Sequence, residues 1–195
     1  MSVNVAIINS GGSNLRSVVQ AVDRLNKSYV ITDTANEIKN ASFVILPGVG
    51  SAENVMQVLK EKNLISVINN LKQPVLGICI GMQILFEYSA EGNTECLGLI
   101  EGNVKRFDEA KNLKVPQMGW NKVIFTEKKL QKFNSYYYFA NSYYSTVQKY
   151  TTATSDYGDV FSSVVEKNNF LGCQFHPEKS ADAGENFLKY FFLKS

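Results

Sequence analysis

Short apolar runs that end at turns alternate with helical patterns along the first half of the chain, and this alternation limits the fold more than any other feature. Residues 3–8 form an apolar run that stops at a glycine-rich turn, after which apolar side chains recur at helical spacing over 15–25. Further strand-like runs cover 29–32, 42–46 and 74–78. Strands that alternate with helices form a parallel sheet covered on both faces. We therefore expect an α/β fold with a mostly parallel central sheet flanked by helices.

The second half of the chain predicts a small antiparallel extension and then a return to the central sheet. Few helical patterns separate its strand-like segments, which cover 104–106, 120–125, 136–140, 143–147 and 162–165. Residues 170–175 are typical of a last core strand, and 181–193 predict a closing helix with phenylalanines on its inner side. A length of 195 residues suits one compact unit, so we expect a single domain over 1–195.

Composition and charge exclude several classes of protein. The 20 basic and 18 acidic side chains leave a formal charge of +2, which argues against a nucleic-acid-binding arm, and a hydrophobic content of 45% fits a folded domain. We expect neither a secretory segment nor a membrane span, since no apolar stretch approaches the roughly 20 residues that a span needs. The three cysteines are odd in number and widely spaced, so we expect free thiols in a cytoplasmic protein, with Cys96 and Cys173 structural.

The chain contains one histidine, His176, so any imidazole chemistry must occur there. With no two cysteines closer than Cys79 and Cys96, the usual spacings of a Cys/His zinc site are missing, and we expect no bound metal. The segment His176-Pro177-Glu178 follows the last core strand, at the carboxyl edge of a parallel sheet, where active sites assemble. His176 can take and return a proton while Glu178 holds its second ring nitrogen.

The segment Gly77-Ile78-Cys79-Ile80-Gly81 matches a nucleophile elbow, in which a reactive side chain lies on a tight turn between a strand and a helix. The turn strains the nucleophile's backbone, and only small residues fit two positions on either side. The helix N-terminus favours the thiolate of Cys79, and the Ile80 N–H faces a developing oxyanion. The pattern alone also allows Cys79 to be a small buried hydrophobic residue between two turn glycines.

A second loop, Pro-Gly-Val-Gly at 47–50, ends another strand of the predicted parallel sheet. Glycine lets the backbone come close to a ligand, so the N–H groups of Gly48 and Val49 can complete an oxyanion hole with Ile80. Without the elbow beside it, a Pro-Gly pair indicates an ordinary turn.

Together these residues resemble the class I glutamine amidotransferases, a family with a flavodoxin-like fold. The family carries an early Pro-Gly loop, a Gly-x-Cys-x-Gly elbow and a late His-x-Glu pair, and all three occur here in that order. Within the class, residues 76–83, 116–121 and 172–180 resemble the glutaminase subunits of imidazole glycerol phosphate synthases. The Met-Gly-Trp-Asn stretch at 118–121 is the discriminating part, because the elbow and the His-x-Glu pair occur throughout the class.

The resemblance implies glutamine hydrolysis through a Cys79 thioester, with His176 as acid and base, Glu178 as its orienting carboxylate, and no cofactor. It also implies a partner, a cyclase subunit with a (β/α)8 barrel, which uses the ammonia in histidine biosynthesis. The implied glutamine-binding residues are Gln83, Asn141, Ser142 and Tyr143, and the candidates for the cyclase-facing surface are Asn14, Trp120 and Asn121.

One departure from the family leaves alternatives open. Where members commonly carry a histidine, this chain has Asn141, which hydrogen-bonds but does not titrate near neutral pH. The same glutaminase chemistry can therefore serve a different synthase, such as one that amidates a sugar of a surface polysaccharide. A third interpretation is a non-catalytic scaffold that docks a barrel, although such a protein is expected to lack a member of the triad.

Overall fold

In this computed structural model the described residues are 5–11, 15–48, 50–109 and 113–194, and the structural statements below refer to them. The helices are α1 (Leu15–Arg24), α2 (Ala35–Asn40), α3 (Ala52–Glu61), α4 (Ile65–Asn69), α5 (Ile80–Gln83) and α6 (Ala181–Phe191). The strands are β1 (Val5–Ile8), β2 (Tyr29–Thr32), β3 (Phe43–Gly48), β4 (Val75–Cys79), β5 (Tyr88–Ser89), β6 (Thr94–Glu95), β7 (Asn103–Arg106), β8 (Gln117–Phe125), β9 (Ser135–Asn141), β10 (Tyr143–Ser145), β11 (Thr151–Asp156), β12 (Val160–Lys167) and β13 (Phe170–Cys173). Among the described helices, none has the length and apolar character needed to cross a membrane.

The central sheet follows the strand order β2-β1-β3-β4-β13-β12-β11-β8-β9. Neighbouring strands from β2 to β13 pair in parallel, and those from β13 to β9 pair antiparallel. A second sheet of short strands follows the order β10-β7-β5-β6. The expected α/β fold is confirmed, and its antiparallel strands continue the central sheet.

Burial follows the type of strand pairing. Every residue of β1 and β4 is buried, as expected for parallel strands with helices on both faces. Strand β8 alternates at its C-terminal end, where Val123 and Phe125 are buried and Ile124 is exposed. Within the described residues, the buried apolar side chains form a contiguous core that extends from Val5 to Phe192.

The chain departs from the expected elements after the elbow and in the second half. The apolar run at 82–86 predicts a helix after the elbow, and this prediction is wrong beyond Gln83, where α5 ends after a single turn. Residues 84–86 are consecutive and fully buried, so they do not share one helical face. The segment expected at 143–147 forms β10 in the second sheet, outside the central one. Strand β11 is largely polar, so no alternation of apolar residues predicts it. It forms because it pairs with β8 and β12 in the central sheet.

Three neighbouring parallel strands, β3, β4 and β13, end at the same edge of the central sheet. Gly48 pairs in register with Cys79, and Cys173 pairs with Ile78, so the turns after these strands begin side by side. Those turns carry the Pro-Gly loop, the elbow and the His-x-Glu pair. The parallel topology therefore brings together segments from the early, middle and last parts of the chain.

Glycine permits two close backbone contacts that hold these turns in place. A Cβ on Gly81 would lie 1.8 Å from the carbonyl oxygen of Leu46, so the elbow packs directly against β3. A Cβ on Gly184 would lie 1.9 Å from the carbonyl oxygen of Pro177, so α6 packs directly against the turn after β13. A larger residue at either position would push apart the turns that meet at this edge.

Gly184→Ala should reverse the usual effect of replacing a helical glycine. In an ordinary helix interior, alanine is more stable than glycine by about 0.5–1 kcal/mol. Here the added methyl group overlaps the Pro177 carbonyl, and we expect the free energy of unfolding to fall by about 1–3 kcal/mol. Urea unfolding measures the change, and Ala183→Gly in the same helix is the control, with an expected loss of about 0.5–1 kcal/mol. A Gly184→Ala protein more stable than the wild type contradicts this packing.

Candidate active site

Cys79 lies at the tip of a strained turn between β4 and α5. Its φ is +54° and its ψ is −110°. Positive φ is uncommon for residues with a side chain, and strain of this kind is concentrated at functional sites. The side chain is almost fully buried, yet it lines a cavity of about 540 Å³. This geometry favours a nucleophile over an ordinary core cysteine.

The turn after β13 carries His176 and Glu178. Nδ1 of His176 lies 2.8 Å from Oε1 of Glu178, and the two side chains are 9% and 2% exposed. Ser180 fastens the turn, because its Oγ donates to the His176 carbonyl at 2.6 Å and accepts from the Tyr138 N–H at 2.9 Å. With Nδ1 held by the carboxylate, Nε2 is the ring nitrogen left to interact with Cys79, whose charge acts on the imidazole.

The charge on His176 depends on its neighbours. Burial lowers the pKa of His176, but the charge and hydrogen bond of a Cys79 thiolate, together with Glu178, outweigh it and raise the pKa to about 10. The raised pKa favours the protonated form of His176 at neutral pH. Cys79 and His176 line one cavity, and Glu178 holds the imidazole, so the site combines a nucleophile, a proton donor and an orienting carboxylate.

The other two thiols lie in different surroundings. Burial raises the pKa of Cys96 to about 11, and burial also raises the pKa of Cys173 well above its usual range. Of the three cysteines, Cys79 is the one that lines the cavity. Neutral, unreactive thiols at the other two positions agree with a structural role.

The cavity brings together most of the residues that the sequence indicates. Besides Cys79 and His176, its lining includes the candidates Gly48, Ile80, Gln83, Asn141, Ser142 and Tyr143. Two further candidates, Val49 and Asn14, lie outside the described residues. A Cβ on Gly48 would lie 2.3 Å from Cβ of Ile80, so the Pro-Gly loop and the elbow are in direct contact. An oxyanion hole built from both loops requires such a contact.

The backbone carbonyl of Tyr143 orients two amide side chains in the cavity. It accepts hydrogen bonds from Nε2 of Gln83 at 2.9 Å and from Nδ2 of Asn141 at 3.0 Å. A carbonyl oxygen can only accept, so both side chains turn their NH2 groups toward it and their oxygens away. Within the described residues, Oε1 of Gln83 and Oδ1 of Asn141 have no hydrogen-bond partner. Both are buried acceptors suited to the N–H groups of a ligand.

Three polar residues beside the nucleophile are missing from the sequence-based candidates. Glu91 and Lys179 line the cavity, and Nε2 of Gln174 lies 3.7 Å from Sγ of Cys79. Burial raises the pKa of the Glu91 carboxyl group. Gln174 precedes His176 by two positions, and the alternation of side chains along an extended segment is a signal that can find it. Glu91 begins a short 3-10 helix at Glu91–Asn93 and has no comparable signal, because only the tertiary fold brings it to the cavity.

Trp120 and Asn121, the described candidates for a partner surface, lie on opposite faces of β8. Trp120 is 54% exposed and packs edge-on beside Tyr138 of β9, with ring centroids 6.3 Å apart. Asn121 points to the other side, where its Nδ2 donates to the Asp156 carbonyl at 2.9 Å. The two side chains therefore do not form a common patch on the sheet.

The chain is similar to known proteins over almost its whole length. A profile of the family described as glutamine amidotransferase class-I matches residues 6–195. The chain is 45% identical to the imidazole glycerol phosphate synthase subunit HisH of Idiomarina loihiensis over 191 residues, which cover 97% of each chain. It is 46% identical to the subunit of the same name from Haemophilus influenzae over 197 residues, which cover 98% of each. A crystal structure of a glutamine amidotransferase matches with a TM-score of 0.76 at 16% identity, covers 97% of each chain and thus shares the fold.

The single imidazole makes the charge pairing directly measurable. NMR titration of 15N-labelled histidine should find His176 protonated at pH 7 and losing its proton near pH 10. In Cys79→Ala the opposing sulfur is lost, and we expect the titration midpoint to fall by about one pH unit or more. Cys96→Ala is the control and should leave the midpoint unchanged. A wild-type His176 that titrates near 6.5 would rule out the thiolate–imidazolium pair.

Proposed function

The chain belongs to the class-I glutamine amidotransferase family, and we propose on that premise that it is the glutaminase subunit of an imidazole glycerol phosphate synthase. It hydrolyses glutamine to glutamate and ammonia and supplies the ammonia to a cyclase subunit in histidine biosynthesis. The observation that carries the proposal is the meeting of Cys79 and His176 at one cavity, with Glu178 bound to Nδ1 of His176. Identity of about 45% to subunits named HisH supports the choice of synthase.

The reaction begins when the Cys79 thiolate attacks the side-chain carbonyl carbon of glutamine and forms a C–S bond. The C–N bond then breaks, and protonated His176 gives its proton to the leaving nitrogen, so ammonia departs from a glutamyl thioester. Neutral His176 next takes a proton from water, whose oxygen attacks the thioester. The C–S bond breaks, which releases glutamate and restores the thiolate and the imidazolium. Glu178 holds Nδ1 of His176 throughout and keeps Nε2 directed at the reacting atoms.

We assign the oxyanion hole to the backbone of Gly48, Val49 and Ile80. Gly48 and Ile80 support this assignment because they line the cavity and contact each other beside Cys79. Val49 enters on the resemblance of the Pro-Gly loop to that of the family. Preorganised N–H groups stabilise the negative oxygen of a tetrahedral intermediate without reorganising during the reaction.

The polar groups of the cavity suit the charged end of a glutamine molecule. The free oxygens of Gln83 and Asn141 accept hydrogen bonds from N–H groups, and the Glu91 carboxylate is complementary to an α-ammonium group. Ser142 and Tyr143 complete this wall, in the segment that carries the orienting carbonyl. Asn141 thus contributes hydrogen bonding without a titrating ring, which makes glutamine binding independent of protonation at this position.

We propose that the partner is a cyclase with a (β/α)8 barrel, docked on the face of β8 and β9 that carries Met118, Trp120 and Tyr136. These side chains are 66%, 54% and 58% exposed, and an exposed apolar patch of this kind marks an interaction surface. Met118 pairs with Ala140, which lines the cavity, so the patch adjoins the active site. Ammonia released at Cys79 would pass into the docked partner without dilution in water.

The remaining assignments have separate support. Asn14 is assigned to the partner surface on the resemblance alone, whereas Asn121 stiffens the strand beside Trp120 through its bond to the Asp156 carbonyl. The contiguous core supports a single domain over 1–195. Three free cysteines support a location in the reducing cytoplasm.

Removal of the nucleophile tests the reaction. We expect Cys79→Ala to reduce glutamate release by at least about 10³-fold, with or without the cyclase, because loss of a triad nucleophile leaves only binding effects. Cys96→Ala should keep wild-type activity, since that thiol lies outside the cavity lining. A coupled glutamate assay measures both variants. Activity that survives in Cys79→Ala would disprove the mechanism.

Growth without histidine identifies the ammonia acceptor. The wild-type gene should restore growth in a strain that lacks its glutaminase subunit, and Cys79→Ala should not. A wild-type chain that releases glutamate but fails to restore growth points to a different synthase, such as the sugar-amidating one, and neighbouring genes for sugar-modifying enzymes would strengthen that alternative.

The partner surface predicts a contrast between two residues on the same face of β8. Trp120→Ala should raise the dissociation constant of the complex with the cyclase by about 30-fold, the effect of losing an aromatic hot spot worth about 2 kcal/mol. Ile124→Ala is the control, because Ile124 is also exposed but lies farther from the cavity edge. Its dissociation constant should change less than about threefold. Equal effects of the two substitutions would move the docking site away from Trp120.

A further inference from the structure

Gln174 is fully buried behind the nucleophile and has no part in the reaction described above. Its Nε2 lies 3.7 Å from Sγ of Cys79, within hydrogen-bonding distance for sulfur. Its Oε1 accepts from Nε2 of Gln83 at 2.9 Å. One amide side chain therefore contacts both the reacting sulfur and a residue that we assign to glutamine binding.

The Tyr143 carbonyl determines which atom of each glutamine amide is the nitrogen and which is the oxygen. The Tyr143 carbonyl can only accept, so the group of Gln83 that faces it is the NH2. The same nitrogen also faces Gln174, and an NH2 group requires an acceptor there, which makes the contacting atom of Gln174 its oxygen. The NH2 of Gln174 is then the group that faces Cys79. A reversed Gln174 amide would place two donors against each other at Gln83.

We infer that Gln174 is a positioning residue that holds an N–H donor on the Cys79 sulfur and connects it to the amide of Gln83, a residue of the cavity lining. A donor aimed at sulfur favours the thiolate over the thiol. The oxygen of the same side chain accepts one hydrogen of the Gln83 NH2 group, which fixes the orientation of the Gln83 amide. The effect of this contact on catalysis rests on the proposed glutaminase function, whereas the contact itself is independent of that function.

Gln174 acts among several groups that face Cys79. His176, paired with Glu178, faces the sulfur from the same turn, and the carbonyl oxygen of Ala140 on β9 lies 3.9 Å from Sγ. Among the described residues, the other titratable groups of the cavity lining are Glu91, Lys179 and Tyr143, and Cys173 lies close behind. Unlike these groups, the amide of Gln174 keeps its donor at every pH. Its removal therefore changes the stabilisation of the thiolate without adding or removing a titrating group.

The test measures the pH dependence of Cys79 alkylation by iodoacetamide, read by mass spectrometry of the Cys79 peptide. In Gln174→Met, which keeps the size of the side chain but has no amide, we expect the midpoint of the rate profile to rise by about one pH unit. Gln117→Met is the matched control, because Gln117 is equally buried but has no bond to Cys79 or Gln83 among its described contacts. Its midpoint should stay at the wild-type value. Equal midpoints for wild type and Gln174→Met would overturn the inference.

Steady-state kinetics distinguish the contact of Gln174 with Cys79 from its contact with Gln83. Gln174→Met should lower kcat because less thiolate is present, and should raise KM because the Gln83 amide is no longer held. Gln83→Met should raise KM and leave the alkylation midpoint nearer to that of the wild type. In the double variant the effects on KM should be less than the product of the single effects, as expected for residues joined by a direct contact. Full multiplicativity would contradict the connection between the two glutamines.

A measurement on the wild-type protein tests the contact even if Gln174→Met does not fold. Carbamidomethylation of Cys79 should shift the side-chain amide resonances of Gln174 in a 1H–15N NMR spectrum and leave those of Gln117 in place. Unshifted Gln174 resonances would disprove the contact. Neither this experiment nor the alkylation profile uses glutamine or the cyclase. A wild-type chain without glutaminase activity would therefore refute the proposed function while leaving the inference about Gln174 to its own test.

Discussion

The site depends on one close contact, the packing of the elbow backbone on β3 at a position that only glycine can occupy. With Gly81 against the Leu46 carbonyl, the chain reverses within a few residues after β4, and this reversal forces Cys79 into a positive φ. The same approach brings Gly48 against Ile80, so two loops share one cavity wall. Backbone strain at the nucleophile is thus balanced by dense packing of the strands that surround it.

A second glycine contact positions the other half of the catalytic machinery. Because Gly184 lets α6 lie directly on Pro177, the turn after β13 is held between the helix and β9. The resulting burial would disfavour a charged imidazole, yet His176 lies between a sulfur and a carboxylate that raise its pKa. Electrostatic pairing therefore reverses the effect of burial, and the chain's one imidazole remains a proton donor at neutral pH.

Strand β9 joins the catalytic turn to the proposed partner surface. The Tyr138 carbonyl accepts from the His176 N–H at 2.8 Å, and its ring packs beside Trp120 on the exposed face of β8. Lys179, the residue after Glu178, lies over the same ring at 6.0 Å. A partner docked on Trp120 would consequently touch a strand that is hydrogen-bonded to the backbone of His176. The antiparallel half of the sheet thus forms part of the active site, as the backing of its histidine turn.

Local spacing in the chain is enough to predict the buried parallel strands, the glycines around Cys79 and the two-residue step from His176 to Glu178. Alternation and turn chemistry act over a few residues, so they can be read without knowledge of distant segments. The order of the strands, the short length of α5 and the place of Glu91 in the cavity lining depend on the folded chain and follow from no local pattern. The link from Cys79 through Gln174 to the Tyr143 carbonyl likewise belongs to the tertiary structure, because each of its bonds joins segments far apart in the chain. Long-range strand pairing, which no local pattern encodes, is the physical reason for that division.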